Sequence, residues 1–345
     1  MGLLKDIFPK QTKIPKQVYT NIEKEIRRIL KERNLLEEPK WFIKIIQLYE
    51  TSLVRHGFMT VCSVGSGKST LMNTLTDALI DVVVPHKLTR MNPKSIKGQE
   101  MYCVMNTVSG EWIPGVFSEI WKKCNDKKNK HVSWIICDGP VDAIWIENLN
   151  TVLDDNRILT LANAERIPMS DNCKMVFEVE NLNNASPATV SRCGIIYVSA
   201  TDLFWKPLFY TWAADRQSER GYCNVDEKKW LDECVEKYIL KEGKVDMFKM
   251  LSLEYHYVMD CPHVVRINQL LNLLTAMTAP YCTSWDCDKA LFEKFFVYCL
   301  AWSCGGLFEV EDREKFHKYL ESRGAPLPQT SGGRQSTEKE TVFDY

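Results

Sequence analysis

The chain has 345 residues, 45% hydrophobic and 26% charged, with a formal charge of −1 at pH 7. That is the balance of a globular protein of about two typical domains, and a near-neutral charge excludes the basic footprint of a nucleic-acid or membrane-surface protein. No apolar run approaches the ~20 residues of a membrane span, and thirteen cysteines without C-x-x-C spacing argue against a disulfide scaffold and for a reducing compartment.

Most of these cysteines are expected as small buried apolar residues. The six histidines form no H-E-x-x-H and no zinc-spaced cluster. The N-terminus lacks signal-peptide organisation, and Gly2 is not read as a myristoylation site because Asp6 stands where that motif wants Ser or Thr.

Residues 15–34 read as an amphipathic helix, with Val18, Ile22, Ile26, Ile29 and Leu30 as its stripe and Pro15 just ahead of it. A second helix, from Trp41 to about Arg55, carries Trp41, Ile45, Leu48 and Ser52 on one side. Core packing is the common fate of such a face, and a wall of a base-binding pocket is the other.

The apolar run Phe58 to Val61 leads into Cys62-Ser63-Val64-Gly65-Ser66-Gly67-Lys68-Ser69-Thr70. Leu71, Met72, Leu75, Ala78 and Leu79 then follow at helical spacing. Strand, glycine-rich bend and helix together form the context of a phosphate loop. Successive N–H groups of Ser63, Val64, Gly65, Ser66, Gly67, Lys68, Ser69 and Thr70, backed by a helix N-terminus, would cradle anions. Lys68 would reach the outer phosphates and the Ser69 hydroxyl would bind Mg²⁺. Cys62 replaces the first glycine of G-x-x-x-x-G-K-[ST]. That costs on the order of 1–2 kcal/mol if the position needs a positive φ, and little if it only ends the strand.

Val82 to Met91 reads as a second strand ending at Asn92-Pro93, Trp112 to Lys123 as a helix, and Asp126 to Lys130 as a charged surface loop. Val132-Ser133-Trp134-Ile135-Ile136-Cys137-Asp138 is an apolar strand whose tip would present Asp138 to Mg²⁺ beside Ser69. Gly139 follows, where many P-loop ATPases have a glutamate that activates water. The expectation is therefore binding without efficient turnover. Arg157 to Met169 reads as a hairpin about Asn163, Cys173 to Val179 as a buried strand leading to Asn181, and Ile195 to Val198 as a fifth strand. Arg192 falls on a loop-like segment before that strand: a surface arginine, or one presented to a neighbour's nucleotide.

Beyond Leu203 helical patterns dominate, at 204–219, 226–242, 246–259, 263–277, 288–304 and 311–322. They read as a helical lid after an α/β core, with the boundary near Thr201–Pro207. Arg266 lies near the start of one of these helices. Gly324 to Thr341 reads as a linker.

Several stretches together resemble the second AAA+ module of dynein heavy chains, of the axonemal (ciliary) type. They are Ile46 to Glu50 with Val54 to Gly57, the Gly65–Ser69 loop, Cys137 through Asn150, and Ser186 through Gly194. The likeness extends to the Asp6-Ile7-Phe8-Pro9 start and the Phe343-Asp344-Tyr345 end. It implies an α/β P-loop NTPase (AAA+) parallel sheet with flanking helices, then a smaller helical lid. The implied division is an N-terminal helical segment (1–36), a large nucleotide-binding subdomain (37–205), the lid (206–323) and a linker toward a following module (324–345). The resemblance further implies ATP or ADP with Mg²⁺ bound at Ser69 and Asp138. It makes Arg192 an arginine finger for the preceding module, and Asn181 and Arg266 the sensor positions, with Glu178 competing with Asn181.

The partners implied are the neighbouring AAA+ modules, and through the full-length motor dynein intermediate and light chains and microtubules. Nucleic acid and membrane are not among them. The setting implied is the cytoplasm, cytoskeleton and ciliary axoneme. One module without linker arm, stalk or main ATPase site could not walk on a microtubule by itself. Two other readings stand beside this one: an independent P-loop ATPase or kinase-like enzyme, and an interaction domain that no longer binds nucleotide.

Overall fold

A helix with one apolar stripe opens the part of the chain that the computed structural model describes, namely residues 17–199, 203, 205–217, 221–240, 246–259, 261–327 and 341–343. Helix α1 (Thr20–Glu32) buries Ile22, Ile26, Ile29 and Leu30. Val18, expected in that stripe, precedes the helix and is exposed; Pro15 lies outside the described residues. In α2 (Pro39–Val54), Trp41, Ile45, Leu48 and Ser52 are all buried, as their spacing requires. β1 (Gly57–Val61) is buried along its whole length. α3 (Lys68–Val82) buries Leu71, Met72, Leu75, Ala78 and Leu79. Two ion pairs, Arg28–Asp81 and Arg33–Asp77, tie the first helix to this one.

The expected strand from Val82 begins later. α3 runs on through Val82, and the N–H groups of Val83 and Val84 still bond to the Leu79 carbonyl. Pro85, which has no N–H to offer, closes the turn, so β2 covers only His86–Met91. α4 (Gly98–Tyr102) and a hairpin of β3 (Cys103–Met105) and β4 (Trp112–Pro114) come next. The helix expected from Trp112 therefore starts only at α5 (Val116–Cys124). The pairing with β3 holds Trp112 extended, and Gly115 passes so close to the Met101 backbone that a Cβ would meet it at 2.5 Å.

β5 (Val132–Asp138) leads to two one-turn helices, α6 (Ala143–Ile146) and α7 (Asn150–Leu153). The expected hairpin follows as β6 (Ile158–Thr160) and β7 (Arg166–Pro168), with the Asn163 side chain accepting the Glu165 N–H in the turn. β8 (Cys173–Val179), α8 (Pro187–Arg192) and β9 (Gly194–Tyr197) complete the α/β part. Arg192 thus ends a helix, where a loop was expected. Ser186 caps that helix by accepting the Thr189 N–H, and a cation in the last turn suits the helix dipole.

The main sheet has five parallel strands in the order β2-β5-β8-β1-β9. Helices cover such a sheet, so its central strands read as apolar runs. Ligands of open parallel sheets bind outside the carboxyl ends of the strands, which is where Val61, Asp138 and Val179 end.

The chain divides into two units: the described residues of Met1–Arg33, Phe42–Val61 and Lys68–Tyr197, and those of Asn34–Trp41, Cys62–Gly67 and Val198–Tyr345. Met59, Ile135, Met175, Phe177 and Trp121 lie in the core of the first. The second contains α9 (Lys206–Asp215), α10 (Glu227–Cys234), α11 (Met247–Glu254), α12 (His263–Thr278), α13 (Lys289–Leu300) and α14 (Val310–Ser322). These pack around Phe248, Phe292, Phe296, Phe308 and Phe316, all with no exposed surface. π-helical turns at Val235–Ile239 and Ala301–Gly305 extend two of the helices. The helix expected over 246–259 stops at Glu254, because Tyr255 and Tyr257 leave it to pack on Phe308, each with ring centroids 4.9 Å away. The linker expected over 324–341 falls largely on residues outside the described set, as do the start at Asp6, the end at Asp344-Tyr345 and part of the boundary near Thr201–Pro207.

A buried carboxylate fastens this turn. Asp312, 2% exposed, accepts the His256 N–H at 2.5 Å and the Lys315 ammonium. Lys315 first, then the His256 backbone, hold its carboxyl below the ordinary range against burial. A depressed carboxyl pKa stabilises the fold above the unfolded value and loses that contribution as pH falls through the folded one. Asp312→Ala should therefore cost about 1–3 kcal/mol at pH 7 and flatten the acid side of the stability profile. Urea unfolding at pH 7 and below pH 4 checks this, and an unchanged acid slope in the variant would count against it.

Candidate phosphate-binding site

The loop after β1 has two glycines in the left-handed region, where a side chain would be strained. Gly65 and Gly67 have φ of +82° and +79°, and a Cβ on them would meet Val264 Cγ1 and Leu203 Cδ1 at 2.6 Å. Ser66 is buried and closes the bend by donating its hydroxyl to the Ser63 carbonyl at 3.0 Å. Val64 is exposed at the crest. Cys62 is not among the residues of positive φ, and at 3% exposure it ends the strand as an ordinary buried side chain. Its departure from the glycine pattern therefore carries no backbone strain.

Lys68 opens α3 and is buried, followed by Ser69 and Thr70 in the same first turn. The Ser69 hydroxyl donates to Glu178 Oε1. Arg90 Nη1 donates to Glu178 Oε2 at 2.8 Å, and Arg90 Nη2 donates to Asn73 Oδ1 at 3.0 Å. A closed circuit thus runs from α3 through β8 and β2 back to α3. Asp138 stands exposed at the tip of β5, in register with Glu178 on the neighbouring strand. Crowding by the surrounding protein, then the Glu178 carboxylate, raise the Asp138 pKa, while Arg90 and Lys68 oppose the shift.

The residues fit a polyphosphate. Two left-handed glycines bend the loop where packing against Val264 and Leu203 leaves no space for a Cβ, and Trp41 Nε1, 3.0 Å from the Cβ position at Gly67, is a buried donor with no partner among the described residues. Among the described residues no three His, Cys, Asp or Glu side chains gather to hold a metal. Ser69 and Asp138 make a partial set, which suits Mg²⁺, an ion usually held by one or two carboxylates plus the substrate's phosphates. Such an ion would neutralise phosphate charge.

After Asp138, a Cβ at Gly139 would meet Asn92 Oδ1 at 2.8 Å. That oxygen already accepts the Lys94 N–H and caps the short turn Pro93–Ser95. A side chain at 139 would therefore have to shift the Asn92 cap.

The remaining positions lie elsewhere. Asn181 is exposed beyond β8 and its side chain accepts the Asn183 N–H. Arg192 bonds Asp154 through Nε and the Ala188 carbonyl through Nη1 at 2.8 Å. Arg266, in the second unit, is buried over the Tyr257 ring at 3.8 Å. It donates to the Tyr257 hydroxyl and to the Cys261 carbonyl, and its Nε has no partner among the described residues. Arg90 and Asn73 were not anticipated, and Glu178 only as the competitor of Asn181. The signal available was a glutamate inside the run Cys173–Val179, apolar apart from it and Lys174. All thirteen cysteines are free, and all but Cys261 and Cys282 are buried.

Three family models match in succession: the hydrolytic ATP binding site of the dynein motor region over residues 1–69, the AAA domain of the dynein-related subfamily over 61–193, and the dynein heavy chain AAA lid domain over 232–345. The first match stops at Ser69, before the strand that carries Asp138. Among curated proteins the chain is 37% identical over 350 residues to dynein axonemal heavy chain 5 of Mus musculus and 38% over 350 residues to dynein axonemal heavy chain 8 of Homo sapiens. It is 38% identical over 346 residues to the dynein gamma chain of the flagellar outer arm of Chlamydomonas reinhardtii. Each alignment covers 100% of this chain and only 7 to 8% of the relative. No described helix is long and apolar enough to cross a membrane. Sheet order, phosphate loop, lid and full-length similarity agree: the chain belongs to the dynein heavy-chain family, of the axonemal type, as an AAA module with its lid.

Proposed function

We propose that the chain is the second AAA+ module of an axonemal dynein motor, that it binds ATP or ADP with Mg²⁺, and that it turns nucleotide over slowly or not at all. The observation that carries the reading is that, within the first unit, Lys68 and Ser69 open α3 within electrostatic reach of the Asp138 tip, while the next residue, Gly139, brings no carboxylate. Charge neutralisation is provided and water activation is not. Ser63 to Thr70 bind the phosphates, and Ser69 and Asp138 serve the metal. Asn181 and Arg266 stand as sensor residues, and Arg192 acts in trans on the preceding module's nucleotide. The division proposed is 1–36, 37–205, 206–323 and 324–345, within a ring of neighbouring modules. The whole motor would work on microtubules in the ciliary axoneme with intermediate and light chains.

Acid extraction of the purified chain followed by chromatography should release close to one ATP or ADP per protein. Steady-state turnover should stay below about 10⁻² s⁻¹, the range of nucleotidases that lack full activation. Brisk hydrolysis by the monomer would instead favour an independent P-loop enzyme, and an empty chain that takes up no nucleotide would favour an interaction domain.

A further inference from the structure

Glu178 is a buried carboxylate in a strand that is otherwise apolar apart from Lys174, and such a charge is expensive unless it is paired. It is fully engaged: one oxygen takes the Ser69 hydroxyl proton and the other the Arg90 guanidinium, which Asn73 in turn orients. A serine hydroxyl has one proton to give and two lone pairs to offer. With the proton committed to Glu178, the lone pairs are the part of Ser69 left to face an incoming cation. The geometry points to Glu178 as the positioning residue of the metal site, which fixes the Ser69 hydroxyl as a ligand from the neighbouring strand and leaves Asp138, its direct register partner on β5, to face the ion and its waters. Hydrogen-bond partners behind metal ligands orient them and raise their basicity. Arg90 serves a second purpose here. It offsets the charge of Glu178, so that the pair of carboxylates at the strand tips does not demand a metal in order to fold.

The assignment rests on the nucleotide-binding reading above. It differs from a simple electrostatic effect in a measurable way. A carboxylate that only repels phosphate would, when removed, tighten nucleotide binding with and without metal alike. A carboxylate that positions Ser69 would, when removed, weaken only the metal-dependent part.

The test is calorimetric titration of the nucleotide-stripped full chain with ADP, in Mg²⁺ and in EDTA, alongside Mn²⁺ titration by electron paramagnetic resonance with ADP present. Glu178→Ala should lose about 10- to 100-fold of the Mg²⁺-dependent gain and of the Mn²⁺ affinity, with the EDTA affinity within about threefold of wild type. Glu178→Gln keeps an acceptor for the Ser69 hydroxyl at nearly the same shape and should lose less, between wild type and the alanine variant. If the alanine variant does not fold, the isosteric one decides, through a loss of metal affinity at unchanged EDTA affinity. Metal dependence equal to wild type in the variants, or parallel changes with and without metal, would overturn the assignment. Wild-type chain that binds ADP without any gain from Mg²⁺ would overturn it while leaving nucleotide binding intact. Wild-type chain that binds no ADP in either buffer would remove the nucleotide reading itself, and this one with it.

Discussion

Replacing Lys68 by alanine should lower the affinity of the chain for Mg-ATP by about 100-fold, or about 2.7 kcal/mol at 1.4 kcal/mol per tenfold, within the range of a charge-assisted hydrogen bond. Lys68 is a buried residue and opens α3, just after a loop bent by two left-handed glycines, Gly65 and Gly67. Alanine is the best helix former, so α3 should persist and the loss should be one of binding alone. Fluorescent-nucleotide titration of both proteins, with urea midpoints measured in parallel, separates the two effects. Variant and wild type binding within threefold of each other, both folded, would count against a phosphate role for Lys68. Lack of binding by either would leave an interaction domain as the surviving description.

The second large effect lies outside this module. Arg192→Ala in a full-length axonemal heavy chain should slow the main ATPase by about 10³-fold or more, the scale at which a trans arginine stabilises the charge of phosphoryl transfer. Arg192 ends α8, a short helix capped by Ser186, and Asp154 with the Ala188 carbonyl holds its guanidinium. Those contacts limit the entropy lost when the fork meets phosphate oxygens. Arg192→Lys should restore little, because an ammonium cannot reproduce a planar two-pronged contact. Nucleotide binding by the module that carries Arg192 should be unchanged in both variants. A motor ATPase that runs at the wild-type rate after Arg192→Ala would remove the trans role.

The low turnover proposed has a structural correlate that also limits repair. Putting a glutamate at position 139 would not by itself install a catalytic base, since the new Cβ would displace the Asn92 cap of the turn Pro93–Ser95.

Much of this protein was legible from residue order because the signals are local. The glycines of the loop, the buried run before Asp138 and the stripe of Ile22, Ile26, Ile29 and Leu30 are dictated by backbone sterics and hydrophobic periodicity acting over a few residues. Local signals also misled where a tertiary partner overrode them. Val82 looked like a strand and continued a helix, Trp112 looked helical and paired with β3, and Tyr255 and Tyr257 left a helical pattern to stack on Phe308.

By itself, the order of residues determined that a strand, an anion-shaped bend and a helix occur in succession, that an aspartate ends a buried strand and that no carboxylate follows it. Only tertiary structure decided that Glu178 accepts the Ser69 hydroxyl, that Arg90 and Asn73 complete the circuit, and that Arg266 bonds Tyr257 and Cys261. The physical reason is that these contacts join residues up to 109 positions apart. Parallel-strand register and helix packing bring them together, and neither is encoded in any short stretch of the chain.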